Sequence, residues 1–150
     1  MKYFKAYELV DRETFLRLGN DSFTLFDKDA LQALDDLREF FGVGVAVNNW
    51  YWHTDIPEEQ WEEKGIFQWR GWRTLVKARK LGAPRSAHAR GKAFDCDIKG
   101  VTAEDARSRI IANKNHPLLC RITRMESGVS WVHFDVIELH GVERIYLFKA

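Results

Sequence analysis

The 150-residue chain is poor in cysteine and proline, has almost no net charge, and contains no long apolar run. Its two cysteines, Cys96 and Cys120, exclude a disulfide-stapled scaffold, and their separation fits no zinc-knuckle spacing. One disulfide is open to them, but buried free thiols are the better expectation. Three prolines and the lack of any low-complexity tract or repeat leave no linker, so one domain spanning 1–150 is expected. No apolar stretch approaches the roughly 20 residues that cross a bilayer, so no membrane segment is expected. Met1-Lys2-Tyr3-Phe4-Lys5 lacks a signal-peptide core, which predicts synthesis and folding in a cytoplasm. A net charge of +1 gives no global field for a polyanion, and no nucleic-acid partner is expected.

What is present argues for a folded globule: 45% apolar residues and six tryptophans. The charge is unevenly placed. Between Glu63 and Asp95 there is no acidic residue, whereas Lys64, Arg70, Arg73, Lys77, Arg79, Lys80, Arg85, Arg90 and Lys92 are all basic. Such a run reads as a solvated face or as an anion-facing wall beside a site. Trp50, Trp52, Trp69 and Trp72 are divided by the same reasoning between core positions and a carbohydrate- or peptide-facing surface.

Periodicity predicts the elements. Asp11 caps a short helix through Leu18, ended by Gly19, and Asp27 to Phe41 is a second helix with Leu31, Leu34, Leu37 and Phe41 on one face. Val43 to Val47 reads as a strand, Asn48 to Trp52 as a corner, and Asp55 to Glu63 as a short surface helix with Pro57 in its first turn. Phe67 to Leu81 is ambiguous, with Trp69, Trp72, Leu75 and Val76 the residues a helical face would use. Ala93 to Ile98 is a strand, and Thr102-Ala-Glu-Asp105 opens a helix to about Asn113 with Ala106, Ile110 and Ile111 inward. Cys120 to Met125 and Val129 to Ile137 form a hairpin about Ser127-Gly128, and Arg144 to Phe148 is a last strand. Helices mainly first and strands last make the class α+β, an antiparallel sheet packed by helices.

The chemistry concentrates in Ser86 to Asp95, which offers an imidazole and a carboxylate with a glycine between them. Alternation puts Asp95 and Asp97 on one face of their strand, with Phe94, Cys96 and Ile98 on the other. It likewise groups Trp131, His133 and Asp135 opposite Val132, Phe134 and Val136. If the two strands share a sheet, Asp95 and His133 converge and the loop brings His88 over them. A His/Asp/His set leaves one corner of a tetrahedral zinc open, as catalytic zinc requires. On periodicity alone, structurally satisfied histidines remain the competing reading. His53, His116 and His140 have no partner pattern and read as surface or loop residues.

Ser86, His88, Gly91, Ala93 and Asp95 match S-x-H-x-x-G-x-A-x-D. This resembles the signature of the zinc D-alanyl-D-alanine carboxypeptidase and L-alanyl-D-glutamate endopeptidase family, which shares its fold with the hedgehog signalling domain. Trp131-Val132-His133-Phe134-Asp135 is similar to that family's second motif. Asn48-Asn49-Trp50 and Gly71-Trp72-Arg73 resemble upstream features of its small phage-encoded members. The resemblance implies one Zn2+ held by His88, Asp95 and His133, peptidoglycan stem peptides as substrate, and delivery to the cell wall by holin release or as a virion component; a monomer is expected, though the sequence leaves oligomeric state open. It also implies that zinc activates the attacking water and polarises the scissile carbonyl, that Arg73 holds a substrate carbonyl or carboxylate, and that Ser86 braces the loop or meets substrate. One position departs from the pattern: many members carry an acidic base three residues before the last histidine, and here that residue is Ser130. Glu126 is the nearest acid upstream. A tight hairpin would pair it with Val129, about 13 Å along the sheet from His133, so the loop must fold back for it to serve. Asp97 and Asp135 are the alternatives, with a plain surface charge the competing reading of Glu126. The departure also keeps open a non-catalytic binding or phage assembly protein of the same fold.

Overall fold

The structure is a computed structural model that describes residues 1–141 and 143–149. Among the described residues, four α-helices and five strands follow in the order α1 (Arg12–Leu18), α2 (Lys28–Phe41), β1 (Val45–Ala46), α3 (Leu75–Lys80), β2 (Ala93–Ile98), α4 (Ala103–Ala112), β3 (Arg124–Glu126), β4 (Val132–Asp135) and β5 (Tyr146–Phe148). The strands form one sheet in the order β1-β2-β4-β3-β5. The class is α+β, as the pattern predicts, with one correction: β5 runs parallel to β3, so the sheet is mixed.

The helices begin where their caps dictate. Asp11 accepts from Thr14 N at 3.0 Å, Asp27 from Asp29 N at 2.8 Å, and Thr102 from Asp105 N at 3.1 Å, each satisfying an N–H that has no intrahelical acceptor. Gly42 ends α2 in the left-handed region (φ 67°). Ala30, Ala33, Leu34 and Leu37 of α2 are fully buried against Phe94, Cys96, Val132 and Phe134 on one face of the sheet. The apolar alternation in β2 and β4 therefore points into the core, which leaves the opposite face for polar groups.

Several expected boundaries move. Val43 to Val47 contracts to two paired residues, and Asp55 to Glu63 contains only a 3-10 turn at Glu58–Gln60. The ambiguous Phe67 to Leu81 segment is helical only from Leu75, after the Thr74 cap; Leu75 and Val76 face outward and Ala78 inward. Ile111 is likewise exposed rather than buried. The expected hairpin about Ser127-Gly128 is instead a five-residue connection, 127–131, because β3 ends at Glu126 and β4 starts at Val132. Of the tryptophans, Trp50 and Trp61 are buried in a satellite cluster with Ile66, Trp72 packs on the main core, and Trp52 is exposed.

Candidate metal centre

One row of side chains crosses the polar face of the sheet. Asp95 on β2 pairs with His133 on β4. The β3–β4 ladder (Arg124 with Asp135, Met125 with Phe134) carries Glu126 opposite His133 on the other side. Glu126 in turn lies beside Phe148 of β5, whose ring meets His133 edge-on at 5.6 Å. Strand spacing near 4.8 Å sets these neighbours within reach of one another. The 3-10 turn His88–Arg90 lays His88 over this row. Gly91 closes the turn at φ 65°, where a side chain would be strained and would also meet Leu25 O at 2.1 Å.

His88, Asp95 and His133 form a buried cluster able to hold a metal ion, with 2%, 5% and 6% of their surfaces exposed. Asp95 Oδ1 is 2.7 Å from His133 Nδ1 and 3.3 Å from His88 Nε2, and the two ring nitrogens are 3.3 Å apart. A triangle with these sides has a circumradius of about 1.8 Å, so a point about 2.1 Å from all three donors exists just outside their plane. That is the length of a zinc bond to nitrogen or oxygen. The donor set thus fits a small divalent cation without rearrangement.

The surroundings orient the donors, and an arriving cation would displace the His133 proton. His88 Nδ1 lies 2.8 Å from Gly71 O and donates to it, which turns the Nε2 lone pair toward the cluster. Ser86 Oγ accepts from His88 N at 3.3 Å, so Ser86 braces the turn. Arg73 spends donors on Trp69 O (2.6 Å) and on Asp95 Oδ2 (2.5 Å), orienting the carboxylate from behind. Asp95 N donates to Arg70 O at 2.8 Å, and fully buried Asn48 holds Arg70 N and Val10 O together. Behind His133, Asp135 is locked by Arg124 through three contacts of 2.7–3.0 Å.

Titration follows from these contacts. Burial lowers the His88 pKa, outweighing its attraction to Asp95. Burial acts to raise the Asp95 carboxyl, but the charge of His88 and the hydrogen bond from His133 hold it far below the ordinary range. At His133 burial opposes charge, yet Asp135 and Asp95 overcome it and raise the imidazole to about 9. Each partner of the Asp95–His133 contact thus favours its charged form.

The structure places the candidate bases differently from one another. Glu126 Oε2 is 4.0 Å from His133 Nδ1, outside the donor triangle and within reach through one water. The expected offset of about 13 Å along the sheet from His133 does not arise, because Glu126 faces His133 and not Val129. Asp97 is largely exposed and ion-paired with Arg70. Asp135 is fully enclosed, its oxygens taken by Arg124, Thr123 and Ile137 N. Ser130, the residue in the usual position of the base, lines a separate cavity with Cys96 and Val132.

A cleft of 520 Å³ opens beside the centre, with Asp95, Arg73, Phe67, Trp69 and Trp131 among its walls. Sequence reasoning missed the carbonyl of Gly71 and the Arg124–Asp135 pair. Backbone carbonyls leave no mark in a sequence, whereas the alternation of Asp135 with His133 marked that carboxylate. The basic run also divides here: Arg70, Arg73 and Lys92 are drawn to Asp97, Asp95 and Asp27. Compared with family models, with curated proteins and with solved structures, the chain matches none.

Proposed function

We propose that the protein is a zinc-dependent peptidase that hydrolyses peptide bonds in bacterial peptidoglycan stem peptides, reaching the wall through a holin or as a virion component. The reading is supported first by the Glu126 carboxylate 4.0 Å from His133 Nδ1, beside a triangle of donors sized for one metal ion. The resemblance of the Ser86–Asp95 stretch to the zinc carboxypeptidase and endopeptidase family supports it independently. His88, Asp95 and His133 would hold the metal, which would supply Lewis acidity and a water of lowered pKa.

The chain's own groups do the rest. Glu126 accepts a proton as the water oxygen bonds to the scissile carbonyl carbon. It returns that proton to the leaving amine nitrogen as the C–N bond breaks, giving a carboxylic acid and an amine, which exchange the acid's proton to end as carboxylate and ammonium. Arg73 keeps Asp95 aimed while presenting its guanidinium edge to the cleft, where a peptide carbonyl fits. Glu126 assumes the place that Ser130 leaves vacant in the motif, and this weighs against the non-catalytic alternative. The test is metal analysis of the purified protein followed by mass spectrometry of peptidoglycan fragments. One zinc per chain with new termini at a stem-peptide bond is expected; a fully zinc-loaded protein that leaves peptidoglycan intact ends the proposal.

A further inference from the structure

Beside the cleft, α3 presents a surface that none of the described residues covers. Leu75, Val76 and Leu81 are 54%, 62% and 52% exposed within one six-residue helix and its cap. Single exposed aliphatics are ordinary, but three in seven residues around a helix that buries only Ala78 are not accounted for by folding. Between and beside them stand Lys77, Arg79, Lys80, Arg85 and Arg90. Among the described residues none of these five is ion-paired, unlike Arg70, Arg73 and Lys92 of the same run. The turn after α3 is tied back to it by Ala83 N to Ala78 O, and the Arg90 guanidinium reaches Arg85 O. No acidic residue interrupts the sequence between Glu63 and Asp95, and the nearest acids on the cleft rim are Glu58 and Glu62.

We infer that α3 and the turn after it dock on an anionic phospholipid bilayer. The cations meet the headgroups, as clusters of four to eight Lys and Arg do at charged membranes. Leu75 and Val76, adjacent at the start of α3, enter the boundary between headgroups and acyl chains, while Leu81 lies on the cleft side of the helix. The aliphatic component selects the bilayer over a nucleic acid, which offers phosphates to the cations but little to branched aliphatic side chains. Lys77 and Leu81 also reach the rim of the cleft, so docking would set its mouth at the membrane surface. This inference stands independently of the peptidase reading.

The test is co-sedimentation of the full chain with vesicles of phosphatidylcholine alone or with about a third phosphatidylglycerol. Partitioning at least tenfold stronger to the anionic vesicles is expected, falling as salt rises. Arg79→Glu with Lys80→Glu should abolish it. Leu75→Ser with Val76→Ser should weaken it several-fold while leaving the melting temperature unchanged, since both side chains are solvent-exposed. Equal or absent partitioning to the two vesicle types overturns the inference. So does unchanged binding by the double serine variant, which would make the face a general polyanion site.

Discussion

Gly71→Ala separates space from conformation. Gly71 has no positive φ, so its backbone suits alanine. The obstacle is the neighbouring chain: an added Cβ would lie 2.0 Å from Leu9 O, 2.9 Å from Leu9 C and 3.2 Å from Leu9 Cα. These are main-chain atoms that cannot rotate aside, so one segment must retreat by an ångström or more. Two bonds depend on the present approach: Trp72 N to Leu9 O at 2.8 Å, and His88 Nδ1 to Gly71 O at 2.8 Å. Losing one or both costs about 1 kcal/mol each, and the overpacking adds about 1–3 kcal/mol, so a loss of about 2–5 kcal/mol is expected. The second bond fixes the His88 ring, so metal affinity should also fall about 10–100-fold. Urea unfolding with excess chelator reads the first effect, and a competition titration against a zinc chelator on the folded variant reads the second. A Gly71→Ala protein with the stability and zinc affinity of the parent would refute the claim that this carbonyl positions His88.

Glu126→Gln keeps shape and should keep zinc, while turnover of peptidoglycan falls about 10²–10⁴-fold; parallel loss of metal would instead make Glu126 a ligand. Arg107→Met removes a buried guanidinium that donates to Val129 O and Trp131 O at 3.0 Å. It should cost about 2–4 kcal/mol and raise hydrogen exchange in residues 127–131, and unaltered exchange there would show that the loop holds itself. Burial alone would raise the Asp27 pKa, but the bond from Lys92 and the N–H of Asp29 hold it below the usual value. Its contribution is therefore present above the unfolded pKa near 4 and lost as pH falls through the depressed folded value. Asp27→Asn, which can still cap α2, should be about 0.5–1 kcal/mol less stable at neutral pH, with the gap closing in acid. Cys120 is exposed, while Cys96 is buried and its thiol is pushed up by that burial. A disulfide reagent should label one thiol in the native protein and two in denaturant; no labelling in denaturant without reductant would reveal a disulfide.

The legible parts of the molecule were those in which one residue type answers to one physical demand. Asp11, Asp27 and Thr102 mark helix starts because only short side-chain acceptors reach the orphan N–H groups. Phe94, Cys96, Val132 and Phe134 mark the buried face of β2 and β4 because side chains alternate. The same alternation put Asp95 and His133 on the other face, and antiparallel pairing made them direct neighbours. Segments held by long-range backbone bonds were not legible. Residues 67 to 74 are fixed by Asn49 to Phe67, Asn48 to Arg70 and Leu9 to Trp72 contacts, and none of these leaves a local period. The parallel placement of β5 was hidden for the same reason. Tyr146 N bonds to Thr123 O across 23 positions of chain, and that pairing rests on tertiary packing alone.

The acid beside the metal ligands shows how a register can do the work of a motif. A base three residues before a histidine depends on the local path of one strand. A base on the neighbouring strand depends on which residues the ladder sets opposite each other. Counting from a tight turn puts Glu126 against Val129. The two pairs that the ladder does form, Met125 with Phe134 and Arg124 with Asp135, put it against His133. The difference is the five-residue connection, which Arg107 holds open from α4 by its grip on Val129 O and Trp131 O. Had the connection been two residues, the ladder would have slipped and carried Glu126 away from the cluster. The position of this carboxylate is therefore encoded in the length of a loop and in an arginine on a distant helix. Neither is visible in the spacing of Glu126 from His133.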